Sequence, residues 1–272
     1  DRAFSECTSL ATVVFPPGLE ILGGEVLSHC PKLGAVDLGA CSALRTIGDR
    51  ALSNCDALGA VLFPPAIESL GTHVLFLCSK LATVDLSRCG ALRTIGDFAF
   101  CECASLETIA LPPGVETLGT YVFSRCPKLA AVDLGPCELL RTIGDRAFSD
   151  CAVLKTIVFP PRLETLGTHV LFRCPALVAV DLRTCEALRT IGGHAFSKCA
   201  SLETAKLPPR VEALGHAVLS HCPKLVQTPS SVIAKRPTPA AFAAPPPPAP
   251  EAEPKPPPLP RRADAGAGEE GR

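Results

Sequence analysis

The sequence predicts an α/β solenoid of about nine stacked coils, alternating 23 and 25 residues over 1–226, with one parallel sheet and short helical turns or irregular coil opposite it. A disordered Pro-rich tail follows over 227–272. Three observations carry this. Cysteines recur at a fixed 48-residue step, leucines divide that step in two, and the last 46 residues are dominated by proline and small residues.

Cys7, Cys55, Cys103, Cys151 and Cys199 are each 48 residues apart, as are Cys30, Cys78, Cys126, Cys174 and Cys222. A third series, Cys41, Cys89, Cys137 and Cys185, keeps the same step, and only Cys101 stands outside. Leu10, Leu33, Leu58, Leu81, Leu106, Leu129, Leu154, Leu177, Leu202 and Leu225 alternate in steps of 23 and 25. A short unit reads "LETIALPPGVETLGTYVFSRCPK" (106–128) and a long one "LAAVDLGPCELLRTIGDRAFSDCAV" (129–153). One such unit cannot bury its own apolar face, whereas stacked units lay each apolar position over its equivalent in the next coil. With hydrophobic residues at 47%, there is enough apolar material to fill that column.

In L-x-x-V-x-L the leucines and valine point inward and the residues between them outward, as strand alternation requires. Strands should centre near Val13, Val36, Val61, Val84, Ile109, Val132, Ile157, Val180 and Ala205 and form one parallel sheet. Asp49, Asp97 and Asp145 follow Gly and precede an apolar pair, the place of an N-cap for a short helical turn on the opposite side. Thr72, Thr120 and Thr168 take that place in the short units.

The motifs L-x-x-I-x-L-P, [LI]-G, A-F and C-x-x-L, as in "LETIALPP…LGTYVFSRC" and "LRTIGDRAFSDC", resemble the BspA-type subclass of leucine-rich repeats, related to treponemal repeats. The resemblance covers 1 to about 226. The long units depart from it, because "GAC", "SRC", "GPC" or "RTC" plus two extra residues replace Pro-Pro and should bulge the turn on every second coil. The resemblance implies a non-enzymatic protein-interaction solenoid, with adhesion or host-surface contact as in many bacterial and protist members.

Three ladders follow from the register. The cysteines stack about 4.8 Å apart, within disulfide reach, but their Cβ vectors run parallel and disfavour the required dihedral. No C-x-x-C occurs, so the expectation is a column of buried free thiols acting as small apolar residues. Many unpaired thiols point to a reducing compartment, while the family resemblance points to the cell surface. Glu20, Arg45, Glu68, Arg93, Glu116, Arg141, Glu164, Arg189 and Glu212 form a second column, of alternating sign, read as a register device in which each exposed pair contributes roughly 0–1 kcal/mol.

The third ladder is the candidate partner-binding face. Asp37, Asp85, Asp133 and Asp181 occupy the outward fifth position of alternate strands, with Val14, Leu62, Ala110 and Val158 at the equivalent place in the intervening ones. The acids lie about 9–10 Å apart, too far for two to share one calcium. That spacing touches the range of inverting glycosidase carboxylates, but an open surface supplies no pocket to raise an acid's pKa. The default reading is a solvated stripe. Regularly spaced exposed apolar residues make it a docking surface for an unidentified protein.

Other classes are disfavoured. A net charge of −1 offers no field for nucleic acid, and no run of 18 apolar residues could span a membrane. There is no nucleophile elbow, P-loop, zincin or dinucleotide fingerprint, so no catalytic residue, metal or cofactor is expected. His73 and His169 share a column with Glu25, Tyr121 and Ala217, but lie four coils apart; His29, His194, His216 and His221 have no metal-like spacing. The only asparagine, Asn54, lacks a glycosylation acceptor context.

The tail carries "PPLPRR", whose Pro257, Pro260 and Arg262 have P-x-x-P-x-R spacing and resemble a class II SH3 ligand. "PPPP" at 245–248 also suits WW-type or profilin-like grooves. An intracellular scaffold that recruits an SH3-like domain is therefore the alternative function. The opening "DRAFSEC" matches "DRAFSDC" at 145–151, late in a long unit, so the chain reads as an N-terminally truncated array with an apolar end around Phe4, Leu10 and Val13.

Overall fold

The computed structural model describes residues 1–226, and these form a parallel-strand solenoid. Each full coil has three sides. The front carries eight three-residue strands: Ala35–Asp37, Ala60–Leu62, Thr83–Asp85, Thr108–Ala110, Ala131–Asp133, Thr156–Val158, Ala179–Asp181 and Thr204–Lys206. Their middle residues, Val36 to Ala205, are the expected strand centres; Val13 lies outside any strand.

These front strands do not form the single sheet that the repeat suggests. They join in four parallel pairs, each made of one long-unit and one short-unit strand, such as Ala35–Asp37 with Ala60–Leu62. Pro64-Pro65, Pro112-Pro113, Pro160-Pro161 and Pro208-Pro209 follow the short-unit strands and have no N–H to extend a ladder. The continuous sheet is on the second side, where nine two-residue strands stack in sequence order: Ile21–Leu22, Thr46–Ile47, Ser69–Leu70, Thr94–Ile95, Thr117–Leu118, Thr142–Ile143, Thr165–Leu166, Thr190–Ile191 and Ala213–Leu214. The glycine that ends each of these segments is held to that identity by contact. A Cβ on Gly144 would lie 2.6 Å from the Gly119 carbonyl carbon and 2.7 Å from the Thr120 nitrogen.

The third side takes the irregular-coil alternative and corrects the helical-turn one: there is no helix among the described residues. Each coil instead places every second residue of a five-residue arc in the left-handed region, as at Tyr121, Phe123 and Arg125 (φ 57°, 55° and 54°). A helix needs consecutive right-handed residues, so the alternation forbids one. Such a residue costs on the order of 1 kcal/mol, and bonds to both neighbouring coils offset this. The Tyr121 and Arg125 amides donate onward to the Asp145 and Ser149 carbonyls (2.7 and 2.8 Å), and the Phe123 amide donates back to Ala99 (3.3 Å). The proposed caps accordingly act between coils. Oδ1 of Asp49, Asp97 and Asp145 accepts from the Thr72, Thr120 and Thr168 amides of the following coil at 2.8, 2.7 and 2.7 Å.

The core is a set of columns. Leu33 through Leu202 are buried at each repeat, and Phe100, Phe123 and Phe148 stack at 5.1 and 5.6 Å between ring centroids. All fifteen cysteines are free thiols, and all but Cys7 and Cys222 are buried. They do more than fill space. From Cys30 to Cys222, the thiol that follows each arc donates to the carbonyl of the central left-handed residue of the coil before, as from Cys151 to Phe123 (3.3 Å) and from Cys174 to Phe148 (3.1 Å). Cysteine is thus a small apolar side chain that also satisfies a buried carbonyl.

The Glu/Arg column resolves into separate pairs, all within a long unit and the short unit after it. Arg45–Glu68 is at 3.4 Å, Arg93–Glu116 at 3.7 Å and Arg189–Glu212 at 3.3 Å, with Arg141–Glu164 alongside. Two further columns repeat this sense, one with Arg2–Glu25 and the other with Glu102–Arg125 and Asp150–Arg173.

Three outcomes follow. Gly144→Ala should lower the unfolding midpoint far more than an exposed-site control such as Gly34→Ala, since nothing lies within 4 Å of a Cβ at Gly34. Arg93→Glu puts three acids in adjacent coils and should lower Tm by a few degrees at low salt and by less in 1 M NaCl; an unchanged melt at low salt refutes the ladder. Burial pushes Cys89, Cys137 and Cys185 up to about 11 and Cys55, Cys101, Cys103 and Cys174 up to about 12, from an ordinary 9.0. A thiol raised in the folded state keeps its full stabilising contribution below pH 9 and loses it as pH rises through the folded value. Urea midpoints measured against pH should therefore be flat through pH 8.5 and fall steeply between pH 9 and 12.

Candidate functional site

The front face presents the third residue of each of its strands outward, and the register brings the sequence-derived candidates together. Asp37 sits beside Leu62, Asp85 beside Ala110, Asp133 beside Val158 and Asp181 beside Lys206. Val14 belongs to the coil before the first front strand. All of these candidates are exposed, with Val14 at 92%, Leu62 at 59% and Val158 at 52%. Strand alternation explains the contrast with their neighbours: Val61 and Ile157, one residue earlier, are buried.

Local chemistry gives the acids a structural role that spacing did not reveal. Oδ1 of Asp37, Asp85, Asp133 and Asp181 accepts the amide two residues on, from Gly39, Ser87, Gly135 and Arg183, at 2.8, 3.0, 2.9 and 3.1 Å. These turns end each long-unit strand where proline ends the short-unit ones. The Ser87 hydroxyl adds a bond at 2.6 Å, and its hydrogen bonds hold Asp85 below the usual carboxylate range.

Asp181 differs from the other three. Arg183 closes on it with Nη2 at 2.7 Å from Oδ2 and Nε at 3.0 and 3.2 Å from the two oxygens. This guanidinium holds the Asp181 carboxyl below its ordinary range. At Asp37 and Asp133 the position two residues on is glycine, and at Asp85 it is serine, so no arginine occupies it.

The histidines belong to a stack on the third side that their 48-residue spacing alone does not reveal. His73 lies on Phe98 (ring centroids 4.6 Å), Phe98 on Tyr121 (4.5 Å), and Arg146 over Tyr121 (5.4 Å). Further on, His169 stacks with His194 at 4.7 Å, and His194 meets His216 edge-on at 4.5 Å. Reading long and short units as one column would have placed Phe98, Arg146 and His194 between the residues already noted. Among the described residues no three His, Cys, Asp or Glu side chains converge to hold a metal. Burial lowers His73 and His169, with Arg50 and Arg146 as the next causes, so these rings favour the neutral form. Pro257, Pro260 and Arg262 lie outside the described residues.

The fold can be set beside known proteins. A leucine-rich repeat protein from Bacteroides ovatus is 21% identical, with a TM-score of 0.42 and coverage of 82% of this chain and 73% of that one. The Treponema pallidum leucine-rich repeat protein is 22% identical, with a TM-score of 0.42 and coverage of 76% and 72%. The pneumococcal vaccine antigen PcpA is 16% identical, with a TM-score of 0.49 and coverage of 76% and 66%. No curated protein matches the sequence. The family model described as the BspA type leucine rich repeat region matches residues 1–91, 89–186 and 136–234 in six copies, and the chain belongs to that family.

Proposed function

We propose that the front face binds a protein partner and that this binding is the function of the solenoid. The observation that supports it most is the exposure of Val14, Leu62 and Val158 at outward strand positions. A strand face that meets only water carries polar residues there, and apolar residues left exposed at regular intervals mark contact surfaces. The repeat family fits a non-enzymatic interaction scaffold, and the open front offers no enclosed site for catalysis. Adhesion to another cell is the form of this function that the family resemblance favours.

The second reading is a scaffold whose Pro-rich tail recruits an SH3-like domain, supported by the spacing of Pro257, Pro260 and Arg262. The two separate experimentally. A photo-crosslinking residue at Ala110 should give a discrete adduct with a cell extract. Val158→Gln should abolish that adduct without lowering Tm, and deletion of 227–272 should leave it intact. Loss of the adduct on tail deletion alone would favour the scaffold.

A further inference from the structure

The front face has a ruler-like pattern, and one of its positions already holds a side chain of the kind that it could bind. Coils stack about 4.8 Å apart, so acids on every second coil are about 9.6 Å apart, with an apolar residue midway. Between Val14 and Val158 the outward column reads apolar, Asp37, Leu62, Asp85, Ala110, Asp133, apolar. In each of these three acids Oδ1 is committed to its turn. At Asp181, where the turn is the same, the chain's own Arg183 occupies the carboxylate through two nitrogens, while Oδ1 keeps its amide bond. The turn and a guanidinium are therefore compatible on one carboxylate.

An α-helix laid along the solenoid axis repeats every seven residues, at about 10.5 Å, and presents residues three or four apart on the same side. The mismatch with a two-coil step is about 0.9 Å. Accumulated from Asp37 through Asp85 to Asp133 it reaches about 1.8 Å, within the swing of an arginine side chain. We infer that the partner docks through an amphipathic helix with an arginine at every seventh residue and an apolar residue between, its guanidiniums taking Asp37, Asp85 and Asp133 as Arg183 takes Asp181. Its apolar residues cover Leu62 and Ala110. Arginine is specified over lysine because a planar fork can share a carboxylate that already accepts an amide. This inference rests on the reading of the front face as a protein-binding surface.

The test uses the full chain and a synthetic 24-residue helical peptide with Arg at every seventh position and Leu four residues after each, titrated by fluorescence anisotropy. Saturable binding should weaken about tenfold or more in Asp85→Asn/Asp133→Asn, and similarly in Ser87→Arg/Gly135→Arg, which supplies an internal occupant to both acids. Ser87→Arg alone serves should Gly135→Arg disturb folding, since a Cβ there would lie 3.0 Å from the Asp133 Oδ1. A Lys-for-Arg peptide should bind more weakly, and a Glu-for-Arg peptide should not bind. Equal binding of the Glu peptide, unchanged affinity in both double variants, or equal binding of a polyproline II peptide with Arg at every third residue would each overturn the helix assignment. If the peptide fails while Val158→Gln still abolishes the Ala110 crosslink, the front face remains the docking surface and only its ligand is wrong.

Discussion

A coil of 23 or 25 residues has too few neighbours within itself to satisfy its own backbone. The bond that runs from an amide in one coil to a carbonyl in the next is therefore the interaction on which everything else depends. It is made in three different ways around the circumference: strand pairing at the front, an unbroken ladder of two-residue strands on the second side, and alternating left-handed arcs on the third. Each side imposes its own residue choice. The ladder demands a glycine where backbones touch, the arcs demand a donor for the carbonyl they turn inward, and cysteine meets that demand without adding bulk.

Because these bonds hold the outward positions at a fixed spacing, surface side chains inherit the repeat. This is why an acid that ends a strand also becomes one member of an evenly spaced row. The Asp-x-Gly and Asp-x-Ser turns are needed locally, since the long units lack the Pro-Pro that ends the short ones. The row they generate is available for recognition at no additional cost in fold stability.

Much of this was legible in the sequence, and the part that was not has definite physical causes. Strand centres from Val36 to Ala205 follow from the apolar period, which depends only on which residues avoid water. The exposure of Leu62 and Val158 follows from the same alternation. The third side is hard to read because Gly-Asp before an apolar pair is a common helix start, and because Phe, Tyr and Leu are poor candidates for left-handed backbone. Only stacking against neighbouring coils overrides that local preference at Tyr121 or Phe123. The column of Glu and Arg was visible, but not which neighbours pair. That choice depends on the stagger between coils, which repeat length alone does not set.

The front strand pairs and seven ion pairs of the described residues all join a long unit to the short unit that follows it. The cohesive brick of the array is thus a 48-residue doublet, and the seams between doublets lack both kinds of link. Such a chain can gain or lose whole doublets by duplication or deletion with every internal contact preserved. Pulled along its axis, it should part doublet from doublet, like couplings in a train, before any doublet comes apart.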